Sequence, residues 1–114
     1  MYLFKRESEE MVMIGMNYRE NGDIVWYGQD PKSHSAILHR AEGPAIIKPN
    51  GDRYWYRYGY LHREDGPAVE YVEKSEFHWF LDGRRVTKSK NIKAGQRRFE
   101  KLRDQMTIAE VMDG

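Results

Sequence analysis

The sequence predicts a mainly β protein, a single curved antiparallel sheet of repeated β-hairpins closed by a C-terminal α-helix. Three observations carry this expectation. Leu38-His39-Arg40-Ala41-Glu42-Gly43-Pro44-Ala45-Ile46 is repeated as Leu61-His62-Arg63-Glu64-Asp65-Gly66-Pro67-Ala68-Val69. Asn50-Gly51-Asp52 leads to Trp55-Tyr56 at the same spacing as Asn21-Gly22-Asp23 leads to Trp26-Tyr27. After residue 90 the aromatic, turn-rich pattern gives way to good helix formers with a spaced apolar stripe.

In chain order, residues 1–20 form an N-terminal capping segment, 21–86 the β-repeat region and 87–114 a basic helical segment, all in one compact domain. Tyr2-Leu3-Phe4 and Met11 to Met16 pair as a capping hairpin across an acidic turn at Glu7 to Glu10, with a short helix as the alternative. Each unit reads as strand, tight turn, strand. Asn50-Gly51 is the strongest short-range hairpin signal, because both residues tolerate the positive φ of a two-residue turn. Asp52 to Tyr58 reads as one strand, with Trp55 and Arg57 on one face and Tyr54, Tyr56 and Tyr58 on the other. Pro67 lacks an N–H and suits the start of the next strand. A degenerate third copy begins near Lys74 and carries Trp79-Phe80 and Asp82-Gly83. From about Asn91 to Met106 a helix is expected, its stripe of Ile92, Phe99, Leu102 and Met106 packing over one end or face of the sheet. Thr107 and Glu110 have capping-box spacing, which predicts a restart there.

The 114 residues are 39% hydrophobic, 32% charged and 13% aromatic, too aromatic for a disordered chain and enough for a thin core. Cysteine is absent, so disulfides, thiolate metal ligands and a cysteine nucleophile are excluded, and a cytoplasmic setting is expected. The apolar run Met11-Val12-Met13-Ile14 is too short to span a bilayer and has an acidic lead, so neither a membrane partner nor a targeting segment is expected. The net charge of +1 hides a division, with residues 1–83 at −4 and residues 84–103 at +8.

The paired Leu-His-Arg-x-x-Gly-Pro-Ala segments resemble the MORN repeat group, and most closely the divergent form common in bacteriophage and bacterial proteins. His62 is followed by Arg63 where the ordinary pattern has glycine, and Pro67 follows Gly66. The resemblance covers roughly residues 21–86 and implies a hairpin scaffold. It also implies a small phage-associated protein acting on a host protein, for instance a defence system, which it would inhibit or modulate.

Four groups of residues are candidates for function. His39 and His62 recur with the unit; they read as structural residues bonded to turn backbone or to Glu42 and Asp65, with catalysis or metal ligation as the alternative. Arg40 and Arg63, with Glu42, Glu64 and Asp65, read as cross-strand ion pairs, an anion grip being the alternative. Tyr54, Trp55, Tyr56, Arg57, Tyr58 and Tyr60 form the leading candidate for partner binding, since aromatic and arginine side chains are enriched at interfaces. Lys90, Lys93, Arg97, Arg98 and Lys101 are candidate nucleic-acid contacts, with Lys90, Arg97 and Lys101 on one flank and Lys93 and Arg98 near another. No phosphate-binding glycine loop, Ser-His-Asp order or helical His-Glu-x-x-His is present. The expectation is therefore a non-enzymatic protein-binding module without cofactor or metal, with nucleic-acid binding as the alternative. Unpaired sheet edges leave a homodimer open.

Overall fold

The structure, a computed structural model, describes the backbone of residues 3–5 and 11–113 and the side chains of 13–106. Its strands are β1 (Leu3–Lys5), β2 (Met11–Met13), β3 (Gly15–Tyr18), β4 (Ile24–Gln29), β5 (Ala36–Leu38) and β6 (Ile46–Ile47). They continue as β7 (Arg53–Tyr54), β8 (Tyr56–Arg57), β9 (Tyr60–Leu61), β10 (Val69–Tyr71), β11 (Glu76–Leu81) and β12 (Arg84–Ser89), before helix α1 (Ile92–Asp113). The protein is mainly β and antiparallel. It is not one sheet: an open eight-stranded sheet runs β12-β11-β10-β7-β6-β4-β3, with β5 also on β4, and β1-β2 and β8-β9 form separate two-stranded ladders. The expected capping hairpin is present as β1 against β2, Leu3 opposite Met13; its acidic turn lies outside the described residues.

The β3–β4, β6–β7 and β10–β11 hairpins turn the same way, and not through the two-residue turn expected at Asn50-Gly51; β11–β12 does turn through two residues, Asp82 and Gly83, at φ 47° and 81°. Gly51 N donates to Lys48 O at 2.9 Å and Lys48 N to Asp52 O at 2.9 Å, a three-residue loop with the glycine at φ 96°. Arg19 to Asp23 repeats both bonds, at 3.0 and 2.9 Å, and Ser75 N to Val72 O repeats the first at 3.2 Å. Asn21 and Asn50 each accept the N–H two residues on at 3.0 Å, so asparagine stabilises the loop through its side chain and not by taking a positive φ.

The expected strand Asp52–Tyr58 is broken at Trp55. β7 lies between β6 and β10 in the main sheet, whereas β8 pairs only with β9. At the break, Trp55 N donates to Ala68 O at 2.8 Å while Trp55 O accepts from His62 N at 3.0 Å. The backbone leaves one ladder and enters another at that residue. Trp26 makes the corresponding bonds to Ala45 O and from His39 N, at 2.8 and 3.2 Å. In β11 the register against β12 shifts between Trp79 and Phe80. The two Gly-Pro-Ala stretches keep these bonds but differ at one torsion, Gly43 having φ 115° while Gly66 does not take a positive φ.

The molecule measures 42 × 40 × 20 Å, a slab that encloses few side chains. One core cluster comprises Val25, Tyr27 and Ala36 with Ile14, Leu38 and Ile46 packed around it. The other lies under α1, where Trp79 and Phe99 are fully buried. Asn91 caps the helix by accepting Ala94 N–H at 3.0 Å. The helix packs on β11 and β12, so the expected covering role is met, with Phe99 and half-buried Leu102 inward but Ile92 and Met106 each more than 40% exposed. It continues through Thr107 without restarting. Gly95 is the point of closest approach: a Cβ there would collide with the Trp79 ring. Among the described residues, no helix is long and apolar enough to cross a membrane.

Candidate functional site

The ladder switch determines where each candidate side chain goes. Where the strand leaves the main sheet, the indole of Trp55 lies under the Arg63 guanidinium, 4.1 Å from Cζ to the ring centroid, and Arg53 stands 5.5 Å away. Arg63 donates to Pro67 O at 3.0 Å, and its guanidinium occupies the space where a Cβ on Gly66 would stand, within 2.6 Å. Arg40 repeats the arrangement over Trp26 at 3.9 Å, donating to Pro44 O at 3.1 Å. The glycine of Gly-Pro-Ala thus makes room for an arginine stacked on tryptophan. Arg63 forms ion pairs with Asp65 at 3.0 Å and with buried Glu70 at 3.2 Å, Glu70 also holding Arg53. Arg40 takes no carboxylate partner among the described residues, and Arg63 pairs within its own turn with Asp65 and with Glu70, so the expected cross-strand pairing is corrected at Arg40 and replaced at Arg63 by these two pairs.

Both repeated histidines bond turn backbone. His39 Nδ1 accepts Tyr58 N–H at 3.0 Å and His62 Nδ1 accepts Asp82 N–H at 2.9 Å, each reaching the hairpin of the next unit. An accepting Nδ1 requires the Nε2–H tautomer. Burial, followed by the Arg57 charge, lowers the His39 pKa from its ordinary value. The His62 ring is buried, with Nε2 making no hydrogen bond and Glu64 Oε1 at 3.4 Å. Its acidic neighbours are Glu64 and Asp82; Asp65, the expected partner, turns to Arg63. A cleft of about 640 Å³ runs past it, lined by Arg40, Trp55, Arg57, Glu64 and Asp65 among others, with acids matching its arginines. Among the described residues, no cluster of three or more His, Asp or Glu side chains could hold a metal ion.

The aromatic run is dispersed rather than presented as one patch. Tyr54 is half-buried on the main sheet, edge-to-face with Tyr71 at 6.0 Å, and burial first, then Tyr71, pushes its pKa up to about 12. Tyr56 is half-buried, its pKa likewise raised by burial. Trp55 lies under its arginines. Within this run the exposed rings are on the outer hairpin: Tyr58, 48% exposed and stacked on His39 at 4.1 Å, and Tyr60, 63% exposed beside Gly83; outside the run, Tyr18 on β3 is 75% exposed. Arg57 lies between β7 and this tip, exposed and bonded to Asp82 at 3.1 Å. Tyr58 itself takes φ 45°, and the Gly59 N–H that follows is bound to Leu38 O at 2.7 Å, so the tip is anchored by backbone bonds.

The basic candidates are distributed differently from the expectation. Lys90 precedes the helix, and Lys93, Arg97 and Lys101 follow one another at four-residue spacing on its exposed side. Arg98 is on the flank facing β12, donating to Thr87 Oγ1 at 3.3 Å. No family model, curated protein or solved structure matches the chain.

Proposed function

We propose that the protein is a non-enzymatic binding module that engages a protein partner through the outer hairpin β8–β9. The observation that carries this reading is a pair of bare tyrosines, Tyr58 and Tyr60, on a turn already fixed by hydrogen bonds that its amides donate to His39 Nδ1 and Leu38 O. Aromatic side chains ordered before contact lose little entropy on binding, which is what a hot spot requires. Arg57, Glu64 and Asp82 surround them as a charged rim that sets specificity more than affinity. Trp55, Tyr54 and Tyr56 support the hairpin from within. Each unit is read as a MORN-like hairpin on a curved sheet, supported by the matching bonds at Trp26 and Trp55. The resemblance to phage-associated forms points to a host protein in the cytoplasm, inhibited or modulated by occlusion.

The test uses Tyr58→Asn with Tyr60→Thr. Asparagine tolerates the φ of 45° and threonine suits a strand, so both rings go while the backbone stays. A host protein retained by the wild type should bind the purified double variant weaker by about 2 kcal/mol or more. Equal affinity for the correctly folded variant would refute the reading.

A further inference from the structure

We propose that α1 and β12 together form a second binding surface, separate from the outer hairpin, that grips the phosphodiester backbone of nucleic acid without reading sequence. Arg84, Arg85, Lys88, Lys90, Lys93, Arg97, Arg98 and Lys101 are all exposed. Among the described residues none of them takes part in an ion pair. Neutralisation by the acidic sheet, the plain alternative for such a segment, is limited: the sheet's acids pair with Lys48, Arg53, Arg57, Arg63 and His78, and Lys88 feels the charge of Glu76 without a direct ion pair. Among the described residues the helix's own acids are also engaged, Glu100 by Gln96 at 3.1 Å and Asp104 by Arg103 at 3.6 Å.

The arrangement fits a regular polyanion. Lys93, Arg97 and Lys101 recur every four residues, about 6 Å apart along a rigid helix. Arg98 joins that row to β12 through Thr87, so helix and edge strand present their cations side by side. The first helical turn holds no acid, which leaves the positive end of the helix dipole beside Lys90 and Lys93. A membrane surface fits worse, because binding in the interface plane needs an apolar face toward the acyl chains. Here the centre of the apolar face is taken up by the sheet through Phe99 and Gly95, and only Ile92 and Met106, at the two ends of the described stripe, are left exposed.

The test is fluorescence anisotropy with a random-sequence 24-base-pair DNA duplex and with its labelled single strand, across a salt series. With four or five phosphates engaged, affinity for the duplex should fall by about 150- to 500-fold between 50 and 200 mM salt. Arg97→Gln with Arg98→Gln and Lys101→Gln should abolish most binding and flatten the salt slope by about 2 to 3, while Lys32→Gln, remote from the strip, changes neither. Circular dichroism confirms that the triple variant stays folded; an Arg84→Gln/Lys88→Gln pair, on β12 and not on the helix, should weaken binding as well. Preference for duplex or single strand identifies the form held. Failure to bind either oligonucleotide at 50 mM salt, a flat salt slope, or binding to polyglutamate with no binding to DNA would overturn the proposal. Because no residue is shared with the outer hairpin, loss of one activity leaves the other standing.

Discussion

At the scale of single residues, the side chains that recur with the unit serve its joints. His39 and His62 accept a backbone N–H only while Nδ1 is unprotonated. Since burial holds the folded pKa of His39 below that of the unfolded chain, the unfolded chain binds more protons between the two values. The resulting stability is full above the unfolded value of about 6.5 and is lost as pH falls from there to the folded pKa. Urea unfolding at pH 7.5 and 5.5 should therefore show the wild type weakening, and His39→Asn, whose oxygen replaces Nδ1 without titrating, weakening less. The Trp55–Arg63–Glu70 cluster gives a second prediction. Glu70→Ala leaves Arg53 and Arg63 without their common buried acceptor and should cost about 1–3 kcal/mol in chemical denaturation. The structural role of the histidines was legible from their recurrence. The arginine stacking was not, because side-chain direction there depends on where the backbone changes ladders.

At the scale of elements, composition identified strand and helix regions correctly, and local geometry decided the rest. Alternation along Tyr54 to Tyr58 implied one strand with two aromatic faces. Strands of two residues in separate ladders do not preserve that alternation, so the expected patch is divided among sheet, cluster and tip. The helix was visible in its stripe, but not the role of Gly95, which depends on the Trp79 ring opposite. Gly95→Ala should destabilise by about 1–3 kcal/mol through overpacking, against the gain in helix propensity of about 1 kcal/mol that alanine brings. A thermal melt decides: no loss would mean that the helix is not seated on Trp79. Phe99→Ala should cost about 3–5 kcal/mol, since the ring is fully enclosed.

At the scale of the molecule, an open sheet ends in two edge strands, β3 and β12, the second packed against α1. β12 carries Arg84, Arg85 and Lys88, charges that discourage pairing with another sheet and that belong to the proposed basic surface. The charge division was readable from the sequence; its unpaired state was not, because pairing depends on which acids the fold brings near. Ending the chain at Lys90 should expose the Trp79 ring, shifting tryptophan emission to the red and lowering the melting temperature. Unchanged emission would show that the sheet protects that ring alone.

The handover at each tryptophan has an evolutionary consequence. The middle unit receives its predecessor at the Tyr54 carbonyl and the Tyr58 and Gly59 amides, and meets its successor at the Ala68 amide, the Leu61 carbonyl and the His62 ring. The groups presented aft are the complements of those presented fore, an amide for the carbonyl and a carbonyl and a ring nitrogen for the two amides, so an in-frame duplication of that segment would find both neighbours already fitted to it. Such a chain could grow by copying, without any compensating substitution at the seams.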